Sequence, residues 1–140
     1  MSQMSDYLEG QLRAHIFRTA SFTKPTVLAV ALHTANPADT GAGAEVANAG
    51  GYARVARNPL DANWTAASAT DGVTDNAAAI TFPSPVGANW GVVTHFGIWD
   101  SATYGAGNLI CYGTLTTPKT INDGDAAPSF AIGTLDITFA

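Results

Sequence analysis

The chain has 140 residues, the size of one ordinary domain, with 46% apolar residues, only 12% charged residues and a formal net charge of −5. No basic cluster tracks a phosphate backbone, no apolar run approaches the roughly 20 residues of a membrane span, and the acidic, polar start MSQMSDYLEG is not a signal peptide. These features argue against nucleic acid and membrane as partners and lead to the expectation of a soluble protein made in a reducing cytoplasm, while a surface so poor in charge points to contact with other protein over much of its area.

The spacing predicts a helix over residues 5–19. Ser5 can cap it, and Asp6 and Glu9 suit the positive end of the helix dipole. Met4, Leu8, Leu12 and Ile16 recur every four residues with His15 beside them, and Arg13 and Arg18 fall toward the C-terminal end, where cations are favoured. Such an amphipathic helix lies on its own sheet or docks onto a partner. Lys24-Pro25 then breaks the pattern, because the residue before a proline is pushed out of the helical region.

Residues 27–34, VLAVALHT, read as a first strand, with Leu28, Val30 and Leu32 on one face and Val27, Ala29, Ala31 and His33 on the other. Residues 35–50, ANPADTGAGAEVANAG, read as a long loop, either an arm that orders against a neighbouring subunit or a plain connection. A second strand follows over 52–57, and residues 64–68 read as a short edge strand. Asp71-Gly72 is a hairpin turn signal. Ala78, Ile80 and Phe82 alternate into the core and stop at Pro83.

Residues 90–100, WGVVTHFGIWD, are the most apolar run and the expected central strand. Strict alternation puts Trp90, Val92, Thr94, Phe96 and Ile98 on one face and Val93, His95, Gly97 and Trp99 on the other. A partner strand is expected over 109–116, with Leu109, Cys111 and Leu115 opposite Ile110, Tyr112 and Thr114. A second long loop over 117–129 carries Pro118 and Pro128, and a last strand over 133–140 points Leu135, Ile137 and Phe139 inward. One helix followed by six or seven short strands between Gly/Pro turns implies a mainly β chain: an antiparallel β-sandwich, jelly-roll or Greek-key like, with one N-terminal α-helix. The organisation expected is a single domain over 1–140, with the helix in 1–20 and the sandwich in 27–140.

The charge is uneven. Residues 1–57 hold Arg13, Arg18, Lys24, Arg54 and Arg57 against Asp6, Glu9, Asp39 and Glu45, a balance of +1; residues 58–140 hold Lys119 against seven aspartates, a balance of −6. Catalytic signatures are missing. His15, His33 and His95 sit in apolar patterns with no ligand spacing between them, and read as buried or half-buried structural histidines. Cys111 is alone, so it forms no intrachain disulfide, and it reads as a core residue. Asn122-Asp123-Gly124-Asp125 lacks the rest of a calcium loop and reads as a turn. The sequon Asn63-Trp64-Thr65 carries no meaning in a cytoplasmic product. Neither a metal nor a cofactor is expected.

Several stretches together carry a resemblance: YLEGQLRAHIFR, VLAVALHT with Asn36-Pro37, EVANAGGYARV, AITFP, WGVVTHFGIWDS and LICYGTLTTPKTINDGD. In these, over nearly the whole chain, the protein resembles a family of small tailed-bacteriophage virion proteins often labelled phage tail fibre proteins. The resemblance implies a non-enzymatic structural protein of the virion, made in the bacterial host cytoplasm, whose partners are the major capsid protein or tail proteins together with further copies of itself. Because a fibre is long, with a repeated shaft absent here, the expectation ranks a capsid cement or decoration protein first and a small tail fibre or tail adaptor protein in host attachment second. The partner contacts expected lie on the two long loops and the helix: Arg13, Arg18, Asp39, Glu45, Arg54, Lys119, Asp123 and Asp125.

Overall fold

The computed structural model describes residues 2–66 and 72–139. The chain opens with a short strand, β1 (Ser2–Met4), before helix α1 (Asp6–Phe17). Ser5 caps the helix as expected: its hydroxyl accepts from the Leu8 amide at 3.2 Å and also donates to the Leu109 carbonyl, so the cap ties α1 to the sheet. Strands β2 (Ala29–His33), β3 (Val55–Ala56), β4 (Val73–Asp75) and β5 (Ile80–Thr81) follow. Then come the long strands β6 (Gly91–Trp99) and β7 (Leu109–Ile121), and finally β8 (Ser129–Phe130) and β9 (Asp136–Thr138).

Every pairing is antiparallel. One sheet has five strands in the order β1-β7-β6-β2-β3, and two ribbons, β4-β9 and β5-β8, complete the architecture. The protein is therefore mainly β with one helix near its N-terminus. The apolar run expected to be central lies in the middle of the large sheet, with β2 on one side and β7 on the other. Val30, Leu32, Phe96, Ile98 and Ile110 from that sheet share a core with Leu8 of α1, with Ile80, Phe82 and Leu135, and with Phe130 and Ile137 of the ribbons. The expected core residues Phe96, Ile98, Ile80, Phe82, Leu135 and Ile137 thus meet in one cluster.

Strict alternation fails at two places, and both failures have the same cause. The β6–β7 register shifts between Val93 and His95 and again between Ile98 and Trp99. At the first shift Val93 pairs Lys119 while His95 pairs Thr114, so 115–118 leave the ladder opposite Thr94 alone. A bulge that adds residues to one strand inverts the faces beyond it. Val93 therefore enters the main core with Phe96, and Val92 is exposed. At the second shift Ile110 and Cys111 both join the main core, whereas Leu109 and Tyr112 share the opposite face with Trp99 and Ala31. The expected split of residues 109–115 by simple alternation is corrected accordingly.

The expected end of this strand at 116 is also corrected. Pro118 falls in the stretch that leaves the ladder, where its missing N–H costs no sheet hydrogen bond, and Lys119, Thr120 and Ile121 resume pairing with Val93, Val92 and Gly91. Residues 122–125 form the turn expected of them: Asp125 N–H donates to the Asn122 carbonyl at 3.1 Å, and Gly124 takes φ +82. Two apolar residues expected inside lie outside. Ile16 is 65% exposed and Phe139 is 53% exposed. Trp64 pairs Asn76 in an isolated bridge and Thr65 N–H donates to the Asp75 carbonyl at 2.9 Å, while residues 67–68 of the expected 64–68 edge strand, like Asp71 of the turn signal, lie outside the described residues. No described helix is long and apolar enough to cross a membrane.

Residues 35–50 fold back over the second face of the large sheet. Thr34 N–H donates to the Ala44 carbonyl at 2.7 Å, Val46 N–H to the Leu32 carbonyl at 2.9 Å, and Asp6 N–H to the Asp39 carbonyl at 3.0 Å. Pro37 and Val46 are buried. Gly41 takes φ +68 and runs so close to the sheet that a Cβ there would lie 3.0 Å from Trp99 and Leu109. The segment is ordered by its own chain.

Candidate functional site

The polar centre of the molecule lies beneath that folded-back loop. Arg54, three residues after Gly51, reaches in from the segment leading to β3 and is fully buried at its side chain. Its Nε donates to Glu45 Oε1 and its Nη2 to Glu45 Oε2, both at 2.8 Å. Its Nη1 donates to the carbonyls of Ser101 at 3.0 Å and Ala106 at 2.8 Å. The guanidinium carbon also lies 4.1 Å from the centre of the Trp99 ring. The Tyr52 hydroxyl donates to Glu45 Oε1 at 3.0 Å and accepts from the Leu32 amide at 3.0 Å. One carboxylate and one guanidinium therefore fasten the folded-back loop and the β6–β7 turn to the segment entering β3, and Tyr52 ties them to β2, with the charges paired as burial requires.

His33 completes this layer. It is fully buried and stacks on Trp99 with the rings 13° apart, and its Nδ1 lies 3.4 Å from the Gly43 carbonyl. Burial pushes its imidazole down to about 4 against the opposing pull of the Glu45 carboxylate, so it is neutral at pH 7. Burial likewise pushes the Tyr52 phenol well above its ordinary range and the Cys111 thiol up to about 12. A thiol held protonated in an apolar core is no nucleophile. Among the described residues no three of His, Cys, Asp and Glu gather as a metal set. His95 is half-buried as expected, but His15 is exposed at the end of α1 and accepts from the Phe22 amide at 3.3 Å.

The residues expected to bind a partner divide by environment. Glu45 and Arg54 are turned toward each other in the interior. Asp39 is exposed on the folded-back loop, where its Oδ1 accepts from the Tyr112 hydroxyl at 2.5 Å. Asp123 Oδ1 accepts from the Gly87 amide at 2.7 Å and Asp125 Oδ2 from the Asn122 amide at 2.8 Å, so both shape the turn while remaining exposed. Arg13 is exposed and paired with Glu9 one turn earlier at 3.2 Å. Arg18 and Lys119 are exposed, and neither enters an ion pair among the described residues. The structure does not gather these eight into one patch.

Two open grooves flank the main core. The first, about 500 Å³, has a floor of Phe82, Phe96 and Phe130 and a polar rim that includes Thr114, Lys119 and Asp136. The second is larger, about 840 Å³, and more apolar. Leu60, Trp64 and Phe139 stand at its sides, and its floor reaches Ile98, Ile110 and Cys111 of the large sheet. The sequence held no signal for it, because Leu60 and Phe139 belong to stretches far apart in the chain. The arrangement can hold apolar surface; it offers no paired nucleophile and base.

A family model described as Podophage GP4 fiber I protein gp80 matches residues 3–138. No curated protein matches the chain.

Proposed function

Since the chain belongs to the podophage GP4 fibre I protein family, a family of phage structural proteins, we propose that it is a non-enzymatic component of a virion fibre, acting by docking onto neighbouring virion proteins. The observation that carries this reading is the family match across 3–138. The grooves and the exposed apolar residues support it, since a docking protein needs surface that a partner completes. We assign the contacts with other virion proteins to the exposed members of the expected set, Arg13, Arg18, Asp39, Lys119, Asp123 and Asp125. Glu45 and Arg54 serve by fixing the loops that carry their neighbours.

The second reading is capsid decoration, which the low charged fraction of 12% favours, since a cement protein is covered by capsid over much of its surface. The two readings differ in where the protein sits. Purified particles split into capsid and tail fractions, each analysed by mass spectrometry, separate them. The fibre reading expects the protein to follow the fibre-bearing fraction at fixed stoichiometry. Retention on capsids stripped of tails and fibres would favour decoration, and absence from washed particles would overturn both.

A further inference from the structure

Helix α1 ends in two large apolar side chains that its own chain leaves uncovered. Ile16 is 65% exposed and Phe17 is 80% exposed, while Leu8 of the same helix is buried. Beside them Arg18 is exposed and enters no ion pair among the described residues. The larger groove presents the complementary surface. Its floor is core, its walls Leu60 and Phe139 are 59% and 53% exposed, and its rim carries Asp61, exposed and likewise outside any ion pair among the described residues. Lys24, the cation on the same rim, has its ammonium 3.4 Å from the Pro59 carbonyl.

We propose that the occupant of this groove is the helix end of a second copy of the chain, with Phe17 seated among Leu60, Trp64 and Phe139 and Arg18 facing Asp61. The inference rests on the reading of the protein as a component that docks within a virion, and names one of the surfaces and its partner. Three observations select the second copy. Each copy carries both halves of the contact, an apolar knob and an apolar groove. The two halves bear unpaired charges of opposite sign. The same opposition runs through the whole chain, whose first 57 residues balance to +1 and whose remainder balances to −6.

A knob and a groove on different parts of one surface form a reciprocal pair when a twofold axis repeats the contact, and otherwise a head-to-tail ring or an open filament. Several such contacts multiply a modest one by avidity. Burying a phenylalanine and its neighbours supplies the apolar share of the attraction, and Arg18 with Asp61 supplies orientation more than strength.

The test combines mass in solution with directed cross-linking. The purified full chain is measured by sedimentation across a concentration series, and so are Phe17→Glu and Leu60→Glu, with circular dichroism to show that both variants remain folded. The expected result is concentration-dependent association of the wild type and a monomer for each variant. Phe17→Cys and Leu60→Cys are then made singly and mixed under mild oxidation, with the Cys111 thiol shielded by burial. The expected product is a covalent dimer of one variant with the other, and little of either with itself. A wild type monomeric at every concentration, or association unchanged in both glutamate variants, overturns the contact while leaving the virion role standing. Self-linked Phe17→Cys dimers without mixed ones would also overturn it, because helix end would then meet helix end.

Discussion

Glu45 holds Arg54 through two parallel hydrogen bonds, Nε to Oε1 and Nη2 to Oε2, each 2.8 Å long, beneath a loop that the sequence presents as either an arm ordering against a neighbouring subunit or a plain connection. The pair is nine residues apart along the chain. It links the folded-back loop, the strand that enters β3 and, through Nη1, the turn that joins β6 to β7. Removing one partner leaves the other charge buried and alone. We expect Arg54→Ala to cost about 3–5 kcal/mol in urea unfolding. Arg54→Lys should recover only part of that, because an ammonium cannot form the two-pronged contact. A loss under about 1 kcal/mol for the alanine variant would mean that the pair is not buried as described.

Phe96 tests the main core. It is buried in β6 against Phe130, with ring centres 6.4 Å apart in an edge-on arrangement. Phe96→Ala should destabilise by about 3–5 kcal/mol, the transfer term plus the cavity. Val92, four residues earlier on the same strand but exposed, provides the control. Val92→Ala should change stability by no more than about 0.5 kcal/mol. Equal losses at the two positions would contradict the bulge that separates their faces.

Gly97 tests the second face. A Cβ there would lie 2.9 Å from His33 Nε2 and 3.0 Å from both Leu109 Cδ1 and Trp99 Nε1. Two of these neighbours are rings stacked in a packed layer, so they cannot swing aside. Gly97→Ala should therefore cost about 1–3 kcal/mol by overpacking, although alanine suits a strand no worse than glycine. A neutral or stabilising result would place His33 and Trp99 elsewhere.

His33 gives the pH dependence its sign. Its folded pKa, about 4, lies below the unfolded value of 6.5, so between these limits the unfolded chain binds the extra proton. Stability is then fully present above pH 6.5 and falls as the pH drops toward 4. The whole effect amounts to about 3 kcal/mol. His95, also lowered by burial, adds in the same direction. Unfolding free energies at pH 7 and pH 4.5 should differ clearly for the wild type and by less for His33→Gln. An equal slope in the variant would assign the dependence to other groups.

Much of this architecture was legible from local signals. Ser5 followed by the Leu8 and Leu12 spacing marked α1, and the apolar density of residues 90–100 marked β6 as central. What escaped has physical causes. β1 is three residues long, too short to show a period, and Ser2 is held by a side-chain bond to the Thr138 carbonyl at the far end of the chain. Pro118 looks like a strand end because the irregularity that tolerates it belongs to the pairing and not to either strand alone. The folded-back course of 35–50 depends on Asp39, Gly41 and Glu45 each meeting partners from other elements. Of the eight residues expected to contact a partner, Glu45 and Arg54 drew attention by charge, yet that charge is satisfied inside. Phe17 and Leu60 carried no expectation in the sequence, and Phe139 was expected to point inward, yet all three are exposed.

The fibre of a phage particle is the place proposed for this protein. Cryo-electron microscopy of intact virions tests it most directly. The expected result is density at the fibre attachment into which a five-stranded antiparallel sheet, with α1 against β7, fits without rearrangement. Such density distributed instead over the capsid lattice, with none at the fibres, would contradict it.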